Sequence, residues 1–143
     1  MAFENPTREE IKQLLTSTHT IAVVGLSDKP DRTSYMVAEA MQAKGYRIIP
    51  VNPNAKGPIL GEKTYSSLLE IEEPVDIVNV FRRSEDIGPV AEETVKMKIK
   101  PKAFWLQLGI VNEEAAQQVA AQGIQVLMDR CIKVEDSILL PRK

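Results

Sequence analysis

A short apolar run, Ile21-Ala22-Val23-Val24, stops at Gly25, and hydroxyls and cations crowd the stretch that follows: Ser27, Lys29, Arg32, Thr33 and Ser34. Residues of these types hold anions, because each donates a hydrogen bond and two also carry positive charge. A strand, a glycine loop and a helix in succession form the unit with which α/β proteins hold a phosphate against the free N–H groups of a helix start. The competing reading is a plain strand-to-helix connection in which Gly25 serves packing and Ser34 only caps the helix. Further polar groups follow later apolar runs: Asn52 and Pro53, then Lys56, then Arg82 and Arg83 directly after Phe81, then Gln107 and Gly109. Neighbouring strand residues point to opposite sides, so only one of Arg82 and Arg83 is expected to face a crevice, and Arg82 is the choice.

Catalytic chemistry has less to work with. His19 is the single histidine and Cys131 the single cysteine, too few for a zinc site of the usual kind. His19 reads as a structural or surface residue at a junction. Cys131 reads as a buried structural thiol, with Arg130 and Lys133 opposed by Asp129 and Glu135. No acid–base pair and no nucleophile–base pair stands out, so the catalytic list is empty and a binding protein is favoured over an enzyme.

The dinucleotide fingerprint G-x-G-x-x-G is absent, since Ser27 stands where its second glycine would be, and the Walker pattern is absent as well. Where the ribose-binding Asp or Glu of NAD proteins belongs, the chain has Asn52, which carries no charge. An NAD(P)-dependent enzyme therefore stays an alternative and not the leading reading.

The elements that must position these residues follow from pattern. Thr7 and Glu10 have capping-box spacing ahead of a helix over about residues 8–17 with Ile11, Leu14 and Leu15 on one face. Strands are expected at 21–24, 46–51, 75–81, 103–108 and 124–128, with helical stripes at 36–44, 85–99 and 112–122 and a short helix near 65–69. Gly45 stands where a helix C-cap belongs, and residues 129–143 read as a tail with a turn or two of structure. Strands alternating with helices predict a parallel sheet with helices on both faces, and a switch point beside the first strand predicts the order 3-2-1-4-5. All the polar groups named above then fall at the C-terminal edge of the sheet.

The chain has 143 residues, 43% hydrophobic and 27% charged, with 18 Lys+Arg against 20 Asp+Glu, which suits one globular domain spanning 1–143. The balanced charge gives no reason to expect a nucleic acid or an anionic membrane as partner. No run is long and apolar enough to span a bilayer, no signal peptide is visible, and a lone cysteine excludes an internal disulfide; a cytoplasmic protein is expected.

The succession VVGLSDKPDRTSYMV, IIPVNPN with GPILGEKTYSSL, and VDIVNVF resembles the CoA-binding domain family, which includes a domain of the succinyl-CoA synthetase alpha subunit and small stand-alone proteins. FRRSEDIGPV, FWLQLGIVNEEAA and VLMDRCIKVE look more like the stand-alone group, and the likeness spans about residues 20–135. The resemblance implies a Rossmann-like fold binding CoA or acyl-CoA at the strand C-termini. By matching position, Gly25, Ser27 and Lys29 would face the diphosphate, with Arg32 and Ser34 near it. Asn52 and Pro53 would lie beside the adenosine, and Phe81 and Arg82 would border the crevice; apart from the resemblance, Lys56 is expected as a further phosphate donor from its place at the strand C-termini. The synthetase's phosphohistidine domain has no counterpart here, so its ligase reaction is not implied. Two alternatives stay open: a CoA-linked enzyme working through Cys131, and a regulatory module that reports CoA occupancy to a partner. A homodimer and an unidentified protein partner also stay open.

Overall fold

Thr7 starts the first helix, α1 (Arg8–Ser17), through the expected capping box: its hydroxyl accepts from the Glu10 N–H at 3.2 Å, and the Glu10 carboxylate accepts from the Thr7 N–H at 2.9 Å. The computed structural model describes residues 3–141. After α1 come β1 (Thr20–Val24), α2 (Thr33–Ala43), β2 (Arg47–Val51), β3 (Ile77–Val80), α3 (Ile87–Lys96), β4 (Ala103–Leu106), α4 (Glu113–Ala120), β5 (Gln125–Leu127) and α5 (Ile132–Leu139). Two 3-10 turns, Leu68–Glu70 and Ser84–Asp86, lead into β3 and α3.

The five strands form one parallel sheet, as the alternating pattern implies, but the order is β2-β1-β3-β4-β5 and not 3-2-1-4-5. The reason lies in Pro50. The Val51 carbonyl faces β1, where it accepts from the Gly25 N–H at 2.9 Å, so Pro50 and Asn52 direct their backbone to the outer side of β2. There Tyr65 alone bridges: its N–H donates to the Pro50 carbonyl at 2.9 Å, and its carbonyl accepts from the Asn52 N–H at 2.8 Å. Pro50 offers that side a carbonyl but no N–H, which a single bridge tolerates and a full neighbouring strand would not. β2 is therefore an edge, β3 pairs with β1, and the switch point lies between β1 and β3.

Alternation along the strands feeds two cores. Ile21, Val23, Ile77 and Trp105 pack with α1, α2 and Ile132 of α5 on one face; Ala22, Val24, Val78 and Phe104 pack with α3 and α4 on the other. Every residue of β1, β3 and β4 is buried, as strands covered on both faces require. The segment read as a tail is part of this core. α5 packs on α1 and α2, and its fully buried Asp136 pairs with Lys44 at 3.0 Å and accepts from the Tyr46 hydroxyl. Acidic residues at 135 and 136 hid the apolar contact of Ile132, which is wholly buried.

Candidate functional site

Gly25 has φ +84, and a Cβ on it would stand 2.3 Å from the Phe81 carbonyl oxygen. Only glycine lets the β1 exit lie this close to the β3 exit. The contact sets Arg82 next to the loop, with its Nε 3.5 Å from where that Cβ would be.

The loop after Gly25 is held by its own polar side chains. The Ser27 hydroxyl accepts from the Lys29 N–H at 3.0 Å, and the buried Ser34 hydroxyl accepts from the Ser27 N–H at 3.0 Å. Asn52 ties the loop to the β2 exit: Nδ2 donates to the Leu26 carbonyl at 2.9 Å, and Oδ1 accepts from the Asn54 N–H at 2.9 Å. An aspartate at this position would set a carboxylate oxygen against the Leu26 carbonyl, so the loop itself demands the neutral amide.

Helix α2 opens here without a side-chain cap. Its first ladder bond is Met36 N–H to the Arg32 carbonyl at 3.0 Å, which leaves the N–H groups of Thr33, Ser34 and Tyr35 with no partner inside the helix. No acidic side chain stands in that first turn, although Asp28 and Asp31 are exposed in the loop before it. Lys29, Arg32 and Lys56 are exposed and Arg82 is half-buried; none of their charged side-chain groups makes a hydrogen bond or ion pair with another described residue. Arg83, by contrast, is exposed and committed to Asp86 at 3.0 Å, a contact that raises the pKa of its guanidinium.

Beside this loop lies a cavity of about 460 Å³. Thr33 lines it from α2, Phe81, Arg82 and Arg83 from the β3 exit, Gln107, Leu108 and Ile110 from the β4 exit, and Cys131 from the start of α5. The residues expected at the site thus divide. Phe81 and Arg82 line the cavity; Gly25, Ser27, Ser34 and Asn52 build the frame beside it; Lys29, Arg32 and Pro53 are exposed on the loops. Lys56 stands apart, in a separate depression of about 330 Å³ with Pro58 and Thr64.

Cys131 corrects the sequence reading. It is half-buried, not buried, and forms part of the cavity wall, because it precedes the first residue of α5 and not a strand. Trp105 is core, as expected, with Nε1 donating to the Arg130 carbonyl at 2.9 Å. His19 lies at the other end of β1, exposed. Thr33 was named with the loop hydroxyls but given no ligand contact, and Leu108 and Ile110 were absent from the expected site. Thr33 carried a signal as the first helical residue after the loop, whereas nothing in the pattern marked Leu108 and Ile110. Among the described residues no cluster of His, Cys, Asp and Glu could hold a metal, and no helix is long and apolar enough to cross a membrane.

Comparison with known proteins assigns the chain. The family model for the CoA binding domain matches residues 19–137. The uncharacterized protein YneT of Bacillus subtilis is 54% identical over 135 residues, covering 94% of this chain and 98% of that one. Among solved structures, a Thermus thermophilus protein superposes with a TM-score of 0.89 at 35% identity, over 94% of this chain and 100% of its own. A hypothetical protein from Pyrococcus horikoshii superposes with a TM-score of 0.88 at 31% identity, over 98% and 99% of the two chains. With its Rossmann-like sheet and nearly its full length matched, the chain belongs to the CoA-binding domain family.

Proposed function

We propose that this protein binds CoA or acyl-CoA at the C-terminal edge of its sheet, as a cytoplasmic holder of the ligand and not as a catalyst. The observation that carries the reading is the set of cations without protein partners, Lys29, Arg32 and Arg82, around an uncapped helix start in a chain of this family. Unpaired cations beside free N–H groups favour a polyanion, and the diphosphate of CoA is one. The nucleotide end rests on the loop from Ser27 to Ser34 and reaches the β2 exit at Asn52 and Pro53, with Lys56 beyond. Phe81 and Arg82 flank the passage from that loop into the cavity. The half-exposed thiol of Cys131 lacks a histidine or carboxylate hydrogen bond among the described residues, which favours holding over turnover.

Calorimetric titration with CoA under reducing conditions tests this. Saturable binding to one site, lost when Lys29 and Arg32 are both changed to Ala, is the expected result. No heat and no protection against thermal unfolding at saturating CoA would reject it.

A further inference from the structure

Gln107 is 4% exposed and lines the cavity. Its Oε1 accepts twice from the protein: from Asn79 Nδ2 at 3.2 Å and from the Ile132 N–H at 3.2 Å. A backbone N–H can only donate, so the amide is fixed with its oxygen toward Ile132 and its nitrogen turned the other way. Asn79 is itself 1% exposed and makes a second bond to the Trp105 carbonyl at 3.3 Å, so the partner that orients Gln107 is itself anchored. Nε2 has no partner among the described residues, and no fully enclosed side-chain nitrogen or oxygen there lacks one. The Nε2 donor is therefore reached from the cavity. Phe81, Leu108, Ile110 and Cys131 supply apolar surface to the same cavity; Thr33, Arg82 and Arg83 also line it, and none of the seven carries a carboxylate.

From this geometry we infer that the cavity takes the pantetheine arm of the ligand and that Gln107 selects it by donating an Nε2 hydrogen bond to one of the arm's carbonyls. The inference rests on the CoA-binding reading and names the residue that reads the part of CoA other nucleotides lack. The chemistry matches: the arm is an aliphatic chain interrupted by amide carbonyls, and a largely apolar wall that holds the Gln107 amide donor in a fixed orientation suits it. A polar donor held in an apolar cavity also disfavours a purely hydrocarbon occupant, which would leave Nε2 without a partner. Gln107 is a specificity-determining residue in this account; Asn79 and Ile132 position it.

The test pairs Gln107→Glu with two ligands, CoA and adenosine 3′,5′-bisphosphate, which is CoA's nucleotide end without the arm and the phosphate that carries it. Glutamate keeps the acceptor that Ile132 and Asn79 use and turns an acceptor into the cavity instead of a donor. Titrated at about pH 8, where an ordinary carboxyl is ionised, the variant should bind CoA about tenfold more weakly and the bisphosphate unchanged. Equal loss for both ligands, or no loss for either, overturns the role of Gln107. If the unaltered protein binds neither, the CoA-binding reading has failed instead. Should the variant not fold, the unaltered protein still decides: the side-chain amide resonance of Gln107 should shift on adding CoA and stay put on adding the bisphosphate. A resonance unmoved by CoA, in a protein that calorimetry shows to be saturated, means that Nε2 faces only water.

Discussion

The two edges of the sheet use the same residue types to opposite ends. At the N-terminal edge Asp76, Lys102 and Arg47 all have protein partners. Asp76 Oδ2 accepts from the N–H groups of His19 at 2.8 Å and Thr20 at 3.0 Å, while Oδ1 pairs with Lys102 at 3.4 Å. Arg47 pairs with Glu73 at 2.8 Å and with Glu62 at 3.6 Å. At the C-terminal edge Lys29, Arg32, Lys56 and Arg82 have no such partners among the described residues. Charges that fasten the strand starts are spent on the fold; charges left open at the strand ends are available to a ligand. Substitutions at the first edge should therefore cost stability, and substitutions at the second should cost affinity.

The largest effect falls where the second edge is built and not where it binds. Gly25→Ala puts a methyl 2.3 Å from a backbone oxygen at a positive φ. The backbone at Phe81 must shift, and the cost should reach about 3 kcal/mol or more, read as a lowered midpoint in denaturant unfolding. A variant as stable as the parent would show that the β1 and β3 exits are not pressed together.

Asp76→Ala comes next, at about 2 kcal/mol, because two backbone donors and an ammonium lose their acceptor. Burial alone would push the Asp76 carboxyl up, but the N–H groups of Thr20 and His19 and the charge of Lys102 outweigh it and hold its pKa below the ordinary value. A lowered folded-state pKa stabilises above the unfolded carboxylate value, and that contribution is lost as pH falls through the folded value. The gap in stability between parent and variant should thus be widest near neutrality and narrow in acid. CoA affinity should not change; a change would blur the division between the two edges.

Arg82→Ala and Arg83→Ala sharpen the comparison within a single dipeptide. Arg82 lines the cavity without a partner, whereas Arg83 is spent on an exposed pair with Asp86 of the kind worth little. Calorimetry should give a loss of roughly tenfold in CoA affinity for the first and less than about twofold for the second, with both melting like the parent. A larger loss at Arg83 reverses the assignment.

The smallest effect belongs to Cys131→Ser, which should leave CoA affinity in reductant within about threefold, since the thiol is a weak hydrogen-bonding group. Its place on the cavity wall does open a route absent from a buried thiol, exchange with a ligand disulfide. Intact mass measured without reductant separates the two: a CoA-sized adduct that the serine variant lacks would give Cys131 a covalent part in holding the ligand.

Much of the frame was legible in the sequence because its signals are local. The Thr7–Glu10 capping box and the apolar strand runs depend only on near neighbours. Strand order depends on edges, and the one residue that reports an edge, Pro50, lies inside the expected strand 46–51 and marks its outer side. The site was legible where side chains leave the strand ends, at Phe81 and Arg82. At Gln107 the position was legible but not the orientation, which comes from Asn79 and from Ile132, a residue 25 positions away. Cys131 and the buried Asp136 share that cause: both lie on a segment whose polar face resembles a tail until α5 docks on α1 and α2.

The central claim is that the open cations and helix start are matched to CoA, and one comparative titration tests it: CoA, dephospho-CoA and NAD at one ionic strength. CoA carries a ribose phosphate that the other two lack, and NAD would also miss a carboxylate at Asn52. The account predicts CoA tightest, dephospho-CoA weaker by roughly tenfold for one lost phosphate contact, and NAD weakest. Added salt should compress the differences, since most of the cations are exposed. NAD binding as tightly as CoA, or more tightly, would contradict the account and put a dinucleotide enzyme in its place.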